Sequence, residues 1–259
     1  MPELPEVEIY CRYFARHALH QRVAKVRVLD ERILGETRKA SFVRTLTGAT
    51  FTRVQRHGKN LFADAGRAWL HLHFGMTGDL AYYDSDAPRF ARVIFDFDDN
   101  KHLAFEDMRL FGVADLTPSP DAYILEHRLG PDPLAMTLRD FRRIIEGRRG
   151  AIKALLMSQD VIAGIGNLYA DEMLYQSSIH PRLSADKLNA PEVTQLYKTM
   201  RRILRDAIKW RVSDVAYPAR YLFDHREEGE RCPRCGGTIE KTVVFGRTTY
   251  YCRVHQPLH

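Results

Sequence analysis

Four residues near the end of the chain have the types and spacing of a metal site. Cys232-Pro-Arg-Cys235 is followed after 16 residues by Cys252-Arg-Val-His255. Thiolate and imidazole are the donors Zn²⁺ favours in a tetrahedral site, and the CxxC…CxxH spacing lets two ligand-bearing turns close on one ion. Gly236-Gly237 supplies the tight turn after the first pair. TIEKTVVF and RTTYYC read as two strands of a hairpin around Gly246-Arg247. So small a module has almost no apolar core, so metal binding must contribute much of its folding free energy. All four positions, Cys232, Cys235, Cys252 and His255, are protein ligands, and none is left open for a substrate. The expected cofactor is therefore one structural Zn²⁺, with no catalytic metal. His259 is a rival fourth ligand at a poorer spacing. Arg247 lies on the rigid tip that the metal would hold, where it could reach a phosphate or a groove.

The charge points in the same direction. Lys plus Arg number 39 against 33 acidic residues, a formal charge of +6 over 259 residues. Between Arg139 and Arg211 there are 14 basic and 8 acidic side chains, so this one stretch carries an excess equal to that of the whole chain. A local basic region is the electrostatic footprint of a phosphate-binding surface, although a solvated helical surface has the same composition. Hydrophobic residues at 45% and charged residues at 28% suit a folded globular protein. MPELPEVEIY reads as neither a signal peptide nor a membrane span, and no run of about 18 apolar residues follows. The expected location is cytoplasmic, associated with the nucleoid. Cys11 stands apart and reads as a small, partly buried helix residue. A disulfide scaffold does not fit so few cysteines in a chain of this length.

The elements that must position these groups follow from periodicity. Val7, Cys11, Phe14, Ala15, Ala18 and Leu19 recur at spacings of three and four, so a helix is expected from Pro5 to about Leu19. From Val23 to about Val113 the pattern changes to short period-two runs such as VAKVRVL, AWLHLHF and RVIFDFDD, punctuated by glycines and by the turn Asp98-Asp99-Asn100. That predicts a sandwich of antiparallel strands. Asp96, Asp98, Asp99, Glu106 and Asp107 read as solvent-facing or turn-forming. TPSPDAY (117–123) and GPDP (130–133) read as breaks between domains. Helices are expected after Thr137, over Ile152–Met157, over Leu168–Tyr175 and over Pro191–Trp210. In the last of these Val193, Leu196, Tyr197, Met200, Ile203, Leu204, Ala207 and Ile208 form one apolar stripe. The fold class is α+β: an N-terminal helix plus β-sandwich (1–122), a helical domain (130–222) and a zinc-bound β-hairpin (223–259).

The motifs then converge. MPELPEVE, HGKNL (57–61), HFGMTG (73–78), DMRLFG (107–112), AIKALLM (151–157), GIGNLYADE (164–172) and GRTTYYC occur in this order along nearly the whole chain. Together they resemble the formamidopyrimidine-DNA glycosylase/endonuclease VIII family. That resemblance implies a β-sandwich, a helix-two-turn-helix domain and a zinc hairpin. It also implies a bifunctional DNA N-glycosylase and abasic-site lyase acting in base-excision repair on double-stranded DNA.

The resemblance assigns roles residue by residue. Pro2, once Met1 is removed, would be the amine nucleophile, and a terminal secondary amine is less basic than lysine. It would attack the sugar C1′, after which β- and δ-elimination would cut the strand. Glu3 would be the acid/base group, although by itself it reads as a helix N-terminal carboxylate. Glu6 would support it near the DNA and the amine. Lys59 would contact the phosphate flanking the lesion, and Asn167 and Arg247 would clamp the same backbone. Met76, Arg109 and Phe111 would fill the gap left by the flipped nucleotide, and Arg109 would hydrogen-bond the orphaned base. Lys153 would add a backbone contact from the helical domain.

Two departures matter. His255 stands where the family usually has cysteine, which preserves the tetrahedral logic. The stretch from Trp210 to Cys232 is short where the 8-oxoguanine-specific branch carries a longer loop. A pocket for formamidopyrimidines, oxidised pyrimidines and, with weaker discrimination, 8-oxoguanine is therefore expected. The chain shows no dimerisation stripe and should be a monomer. The rival readings are a catalytically silent DNA-binding relative, a zinc-stabilised interaction module and a metal-dependent nuclease.

Overall fold

The computed structural model describes residues 1–213 and 215–258 and divides the chain into two compact units, Met1–Arg128 and Leu129–His259. The first unit opens with α1 (Leu4–Ala18), whose Val7, Cys11, Phe14 and Ala18 turn one face into the core. Strand β1 (Val23–Val28) and helix α2 (Lys39–Leu46) follow. Next come β2 (Arg53–His57), β3 (Asn60–Asp64), β4 (Trp69–His73), β5 (Gly78–Tyr83), β6 (Ala91–Phe97), β7 (His102–Asp107) and β8 (Val113–Thr117).

Two four-stranded antiparallel sheets result, in the orders β1-β6-β7-β5 and β2-β3-β4-β8. Alternation fixes which side chains meet between them. Leu61 and Ala63 of β3 and Leu70 and Leu72 of β4 enter the shared core. Phe62 and His71 point to the other face, where Tyr123 of α3 (Pro120–Glu126) covers them, its ring 5.4 Å from Phe62 and 4.1 Å from His71. Burial holds the His71 imidazole neutral, its pKa lowered to about 3. The 117–123 segment, expected as a break, thus contains a short helix. Ser119 caps it by accepting from the Ala122 N–H, and Pro120 occupies its first turn.

The second unit contains α4 (Leu138–Ile145), α5 (Ile152–Met157), α6 (Asn167–Ser177), α7 (Ala190–Val212) and a hairpin of β9 (Ile239–Val244) and β10 (Arg247–Cys252). Thr137 and Asp140 form a capping box on α4, and Asn189 and Glu192 form one on α7. The α7 stripe is buried as expected, apart from Tyr197, which is half-buried and donates its hydroxyl to the Met136 carbonyl. The hairpin turns at Phe245-Gly246, both at positive φ, the conformation a two-residue turn between twisted strands demands. Tyr175 of α6, Leu222, Cys232, Ile239 and Cys252 share one small apolar cluster, so the hairpin packs on the helices instead of standing free. Among the described residues no helix is long and apolar enough to cross a membrane.

Candidate DNA-repair site

In the first unit, α1 runs antiparallel to β2. Phe14 packs edge-on to Phe51, the Cys11 thiol faces the Gln55 carbonyl and the Glu8 carboxylate meets Arg56. The N-terminal end of α1 is thereby directed to the end of β2 that turns at Gly58-Lys59. From Glu8 back to Glu3 is about 7.5 Å along a helix axis, and from Arg56 on to Gly58 about 7 Å along a strand. Glu3 and Glu6 form the capping box of α1, with the Glu6 carboxylate accepting from the Glu3 N–H at 2.9 Å. Glu3 is buried and Pro2 half-buried.

The turn bearing Lys59 is fixed from both sides. Arg56 donates to the Gly58 carbonyl at 3.1 Å, and Asn60 donates to the His57 carbonyl at 3.2 Å while its carbonyl meets the His71 ring nitrogen at 2.9 Å. Asn60 pairs across the sheet with His73, where the HFGMTG loop begins. Burial lowers the His73 pKa, the Lys59 ammonium nearby lowers it further, and its Nδ1 accepts from the Gly75 N–H at 3.2 Å.

Register brings the remaining loops to the same rim. His73 pairs with Val113 and Gly78 pairs with Asp107, so the 74–77 and 108–112 loops leave the same edge of the two sheets. Met76 is 42% and Phe111 53% exposed. The Arg109 guanidinium lies over the Phe111 ring, 4.7 Å from its centroid. Asp107, expected to face solvent or form a turn, does not face solvent: it is completely buried, and it forms the turn by accepting from the Arg109 N–H at 3.0 Å. Asp96 is also partly buried, paired with Arg27 at 2.7 Å and His102 at 2.6 Å.

In the second unit the Lys153 side chain, expected to contact the DNA backbone, is 0% exposed. The ammonium instead meets Asp171 at 2.6 Å and donates to the Asn167 carbonyl oxygen at 2.7 Å and the Thr249 hydroxyl at 2.6 Å. Asp171 is held from its other side by Arg226 at 2.7 Å. Asn167 in turn donates to the Thr248 carbonyl at 3.0 Å. The start of α6 and the first residues of β10, which begins at Arg247, are thus tied together through one buried cation. Arg247 itself is exposed. Sequence reasoning missed Asp171, Arg226 and Thr249. Asp171 and Thr249 lie inside quoted motifs, but a helix carboxylate and a strand threonine carry no spacing signal.

The metal ligands converge as expected. Cys232 Sγ and Cys235 Sγ lie 3.5 Å and 3.6 Å from His255 Nδ1, and Cys235 Sγ lies 3.5 Å from Cys252 Sγ. A tetrahedron with Zn–S near 2.3 Å and Zn–N near 2.0 Å has edges of about 3.5–3.8 Å. The donor set therefore fits Zn²⁺, with His255 as fourth ligand; His259 lies outside the described residues. His255 Nε2 faces the Tyr175 carbonyl at 3.3 Å, which fixes the tautomer with Nδ1 toward the metal. The Tyr175 hydroxyl is 3.0 Å from Cys232 Sγ, an outer hydrogen bond to a thiolate. Burial works against that thiolate, but the Tyr175 hydroxyl and the Cys235 and Arg234 N–H groups together lower the Cys232 pKa.

The N-terminal domain of formamidopyrimidine-DNA glycosylase matches residues 1–114, its H2TH domain residues 129–217, and the zinc finger found in FPG and IleRS residues 229–253. A formamidopyrimidine-DNA glycosylase of Roseiflexus sp. is 37% identical over 97% of this chain and 98% of its own. The chain belongs to the formamidopyrimidine-DNA glycosylase family. A relative of that name from Herpetosiphon aurantiacus is 34% identical over 99% of this chain and all of its own, 100%. Among solved structures, the Lactococcus lactis Fpg bound to abasic-site DNA superposes with a TM-score of 0.87 at 29% identity, covering 98% of this chain and 99% of that one. A MutM complex with DNA containing carbocyclic 8-oxo-G gives 0.89 at 29% identity, covering 99% and 100%. The protein is a base-excision repair enzyme of the DNA glycosylase/abasic-site lyase class, with a structural zinc finger.

Proposed function

We propose that this enzyme excises ring-opened and oxidised bases from duplex DNA through the amine of Pro2, after Met1 is removed, acting on the chromosome in the cytoplasm. The amine attacks C1′, the C1′–N bond breaks and the base leaves with its electron pair. The resulting iminium acidifies C2′, so loss of a C2′ proton expels the 3′ oxygen and a second elimination expels the 5′ oxygen. Glu3 protonates the opened sugar oxygen. Lys59 engages the flanking phosphate, and Asn167 and Arg247 engage the same backbone, with the α6 dipole adding positive potential beside Asn167. Glu6 holds the turn that carries Glu3. Lys153 contributes by fixing Asn167 and β10. Zinc contributes no chemistry at the reacting atoms; Cys232, Cys235, Cys252 and His255 hold it to keep the hairpin folded.

The observation that carries this reading is the antiparallel seating of α1 on β2, which directs the Pro2 end of the helix toward the Lys59 turn. Met76, Arg109 and Phe111 offset the stacking lost when a nucleotide leaves the duplex. The short 211–231 segment favours formamidopyrimidines and oxidised pyrimidines, with weak discrimination for 8-oxoguanine. Excision assays on duplexes carrying each lesion, with analysis of both cut ends, test the proposal. Phosphate on both ends is expected, and retention of Met1 should abolish cleavage while leaving binding intact. A strong preference for 8-oxoguanine opposite cytosine would overturn the base assignment.

A further inference from the structure

Asp107 is the last residue of β7 and is buried without any of the exposed character of its neighbours Met108 and Arg109. Its Oδ1 accepts from the Thr77 hydroxyl and from the Arg109 N–H at 3.0 Å, and its Oδ2 accepts from the Gly112 N–H at 2.6 Å. The Arg109 N–H also reaches the Thr77 hydroxyl oxygen at 3.2 Å. Burial by itself would raise this carboxyl. The Thr77 hydroxyl and the N–H groups of Gly112, Arg109 and Phe111 outweigh that and hold it below the usual carboxylate range. The charge is thus stabilised by dipoles drawn from two different loops.

The same two loops touch backbone to backbone. Gly75 has φ +52, and a Cβ there would stand 2.3 Å from the Phe111 carbonyl carbon. Leu110, at φ 57, is turned into the core between Arg109 and Phe111. Two residues of the loop face outward because the one between them is anchored.

We infer that Asp107 is a positioning residue whose one carboxylate fixes the 75–77 loop against the 109–112 loop, so that Met76, Arg109 and Phe111 meet DNA as a single preformed wedge. This rests on the proposed role of those three side chains in filling the vacated stack. A wedge already ordered in the free protein loses little conformational entropy on insertion. The benefit falls on the step that removes a stacked base. An abasic site has no base to extrude, so its cleavage depends far less on the wedge.

The test uses the full-length, zinc-loaded protein and four variants: Asp107→Asn, Thr77→Val, Thr77→Ser and Arg109→Ala. Single-turnover excision of a formamidopyrimidine lesion is measured beside cleavage of the same duplex with a preformed abasic site, together with amide exchange of the 105–113 segment. Asp107→Asn and Thr77→Val should lower excision about tenfold or more, keep abasic cleavage within about threefold, and speed exchange of the 109–112 amides. Thr77→Ser keeps the hydroxyl and should restore both readouts. Should Asp107→Asn fail to fold, the two Thr77 variants decide. If Arg109→Ala leaves excision unchanged, the wedge reading fails and this inference with it. If Arg109→Ala impairs excision while Thr77→Val and Asp107→Asn change neither excision nor exchange, the wedge stands and the anchoring role is overturned.

Discussion

The Arg56 guanidinium joins Glu8 of α1 at 3.1 Å and the Gly58 carbonyl of the β2–β3 turn at 3.1 Å. One side chain therefore sets the helix that begins beside Pro2 against the turn that carries Lys59. Arg56 is nearly buried, with 9% of its side chain exposed, whereas Glu8 keeps 25%. Arg56→Met should cost about 1–3 kcal/mol, less than for a fully enclosed pair because water still reaches Glu8. Thermal unfolding should show the loss. Single-turnover cleavage should fall more than DNA affinity, because the amine and the phosphate contact lose their common reference. Equal losses in both would show that Arg56 only supports the fold.

Removing Lys153 should damage the second unit well beyond a lost surface charge. Lys153→Met leaves the fully buried Asp171 with Arg226 as its remaining cation and Asn167 without its donor. Breaking such a pair typically costs about 3–5 kcal/mol. Denaturant unfolding of wild type and variant reads this directly. A change confined to DNA affinity, with stability intact, would favour the direct backbone contact that the resemblance implies for Lys153.

Zinc removal should unfold the hairpin and abolish duplex binding. His255→Cys should retain the ion because thiolate suits the same tetrahedral geometry, whereas Cys232→Ser replaces the sulfur that Tyr175 supports with a weakly ligating hydroxyl and should bind zinc weakly. Metal content and gel-shift affinity, measured together, check this. Full DNA affinity in a zinc-free protein would contradict it.

Stability should also fall between about pH 5 and pH 7 through Glu172. This carboxyl is buried on α6, and burial raises its pKa from 4.5 to about 7, against hydrogen bonds from Gln176 and the Leu222 and Phe223 N–H groups and the nearby Arg226 charge. A carboxyl whose folded pKa is raised contributes fully below its unfolded value, and that contribution is lost as pH rises through the folded one. The total is on the order of 3 kcal/mol. Melting curves at pH 5, 6, 7 and 8 should show the decline, and Glu172→Gln should flatten it. Identical slopes in both proteins would assign the pH dependence elsewhere.

Most of the scaffold was legible because it repeats. The α1 and α7 stripes, the alternating strands and the CxxC…CxxH spacing each leave a periodic signal, and the structure returns them within a residue or two. Short helices are legible only where a cap or a motif marks them, as Thr137 marks α4 and AIKALLM marks α5. Helix α2 sits inside a stretch read as strands and α3 inside one read as a Pro-rich break, and at seven or eight residues neither shows a 3.6-residue period strong enough to override that. Polar interior contacts are less legible still. Nothing in composition distinguishes the buried Asp107 and Lys153 from the exposed Asp98 and the half-buried Lys101, because the difference lies in partners brought from distant parts of the chain. The resemblance placed Lys153 near DNA; only packing shows that its ammonium is turned inward onto Asp171.

Borohydride trapping on a duplex with an abasic site or a formamidopyrimidine lesion tests the central claim most directly. Reduction of the iminium fixes a covalent adduct, and peptide mapping locates it. The account predicts an adduct on an N-terminal peptide that begins with Pro2, and none when Met1 is retained. An adduct on a lysine, or no adduct from zinc-loaded protein that still binds the duplex, would contradict it.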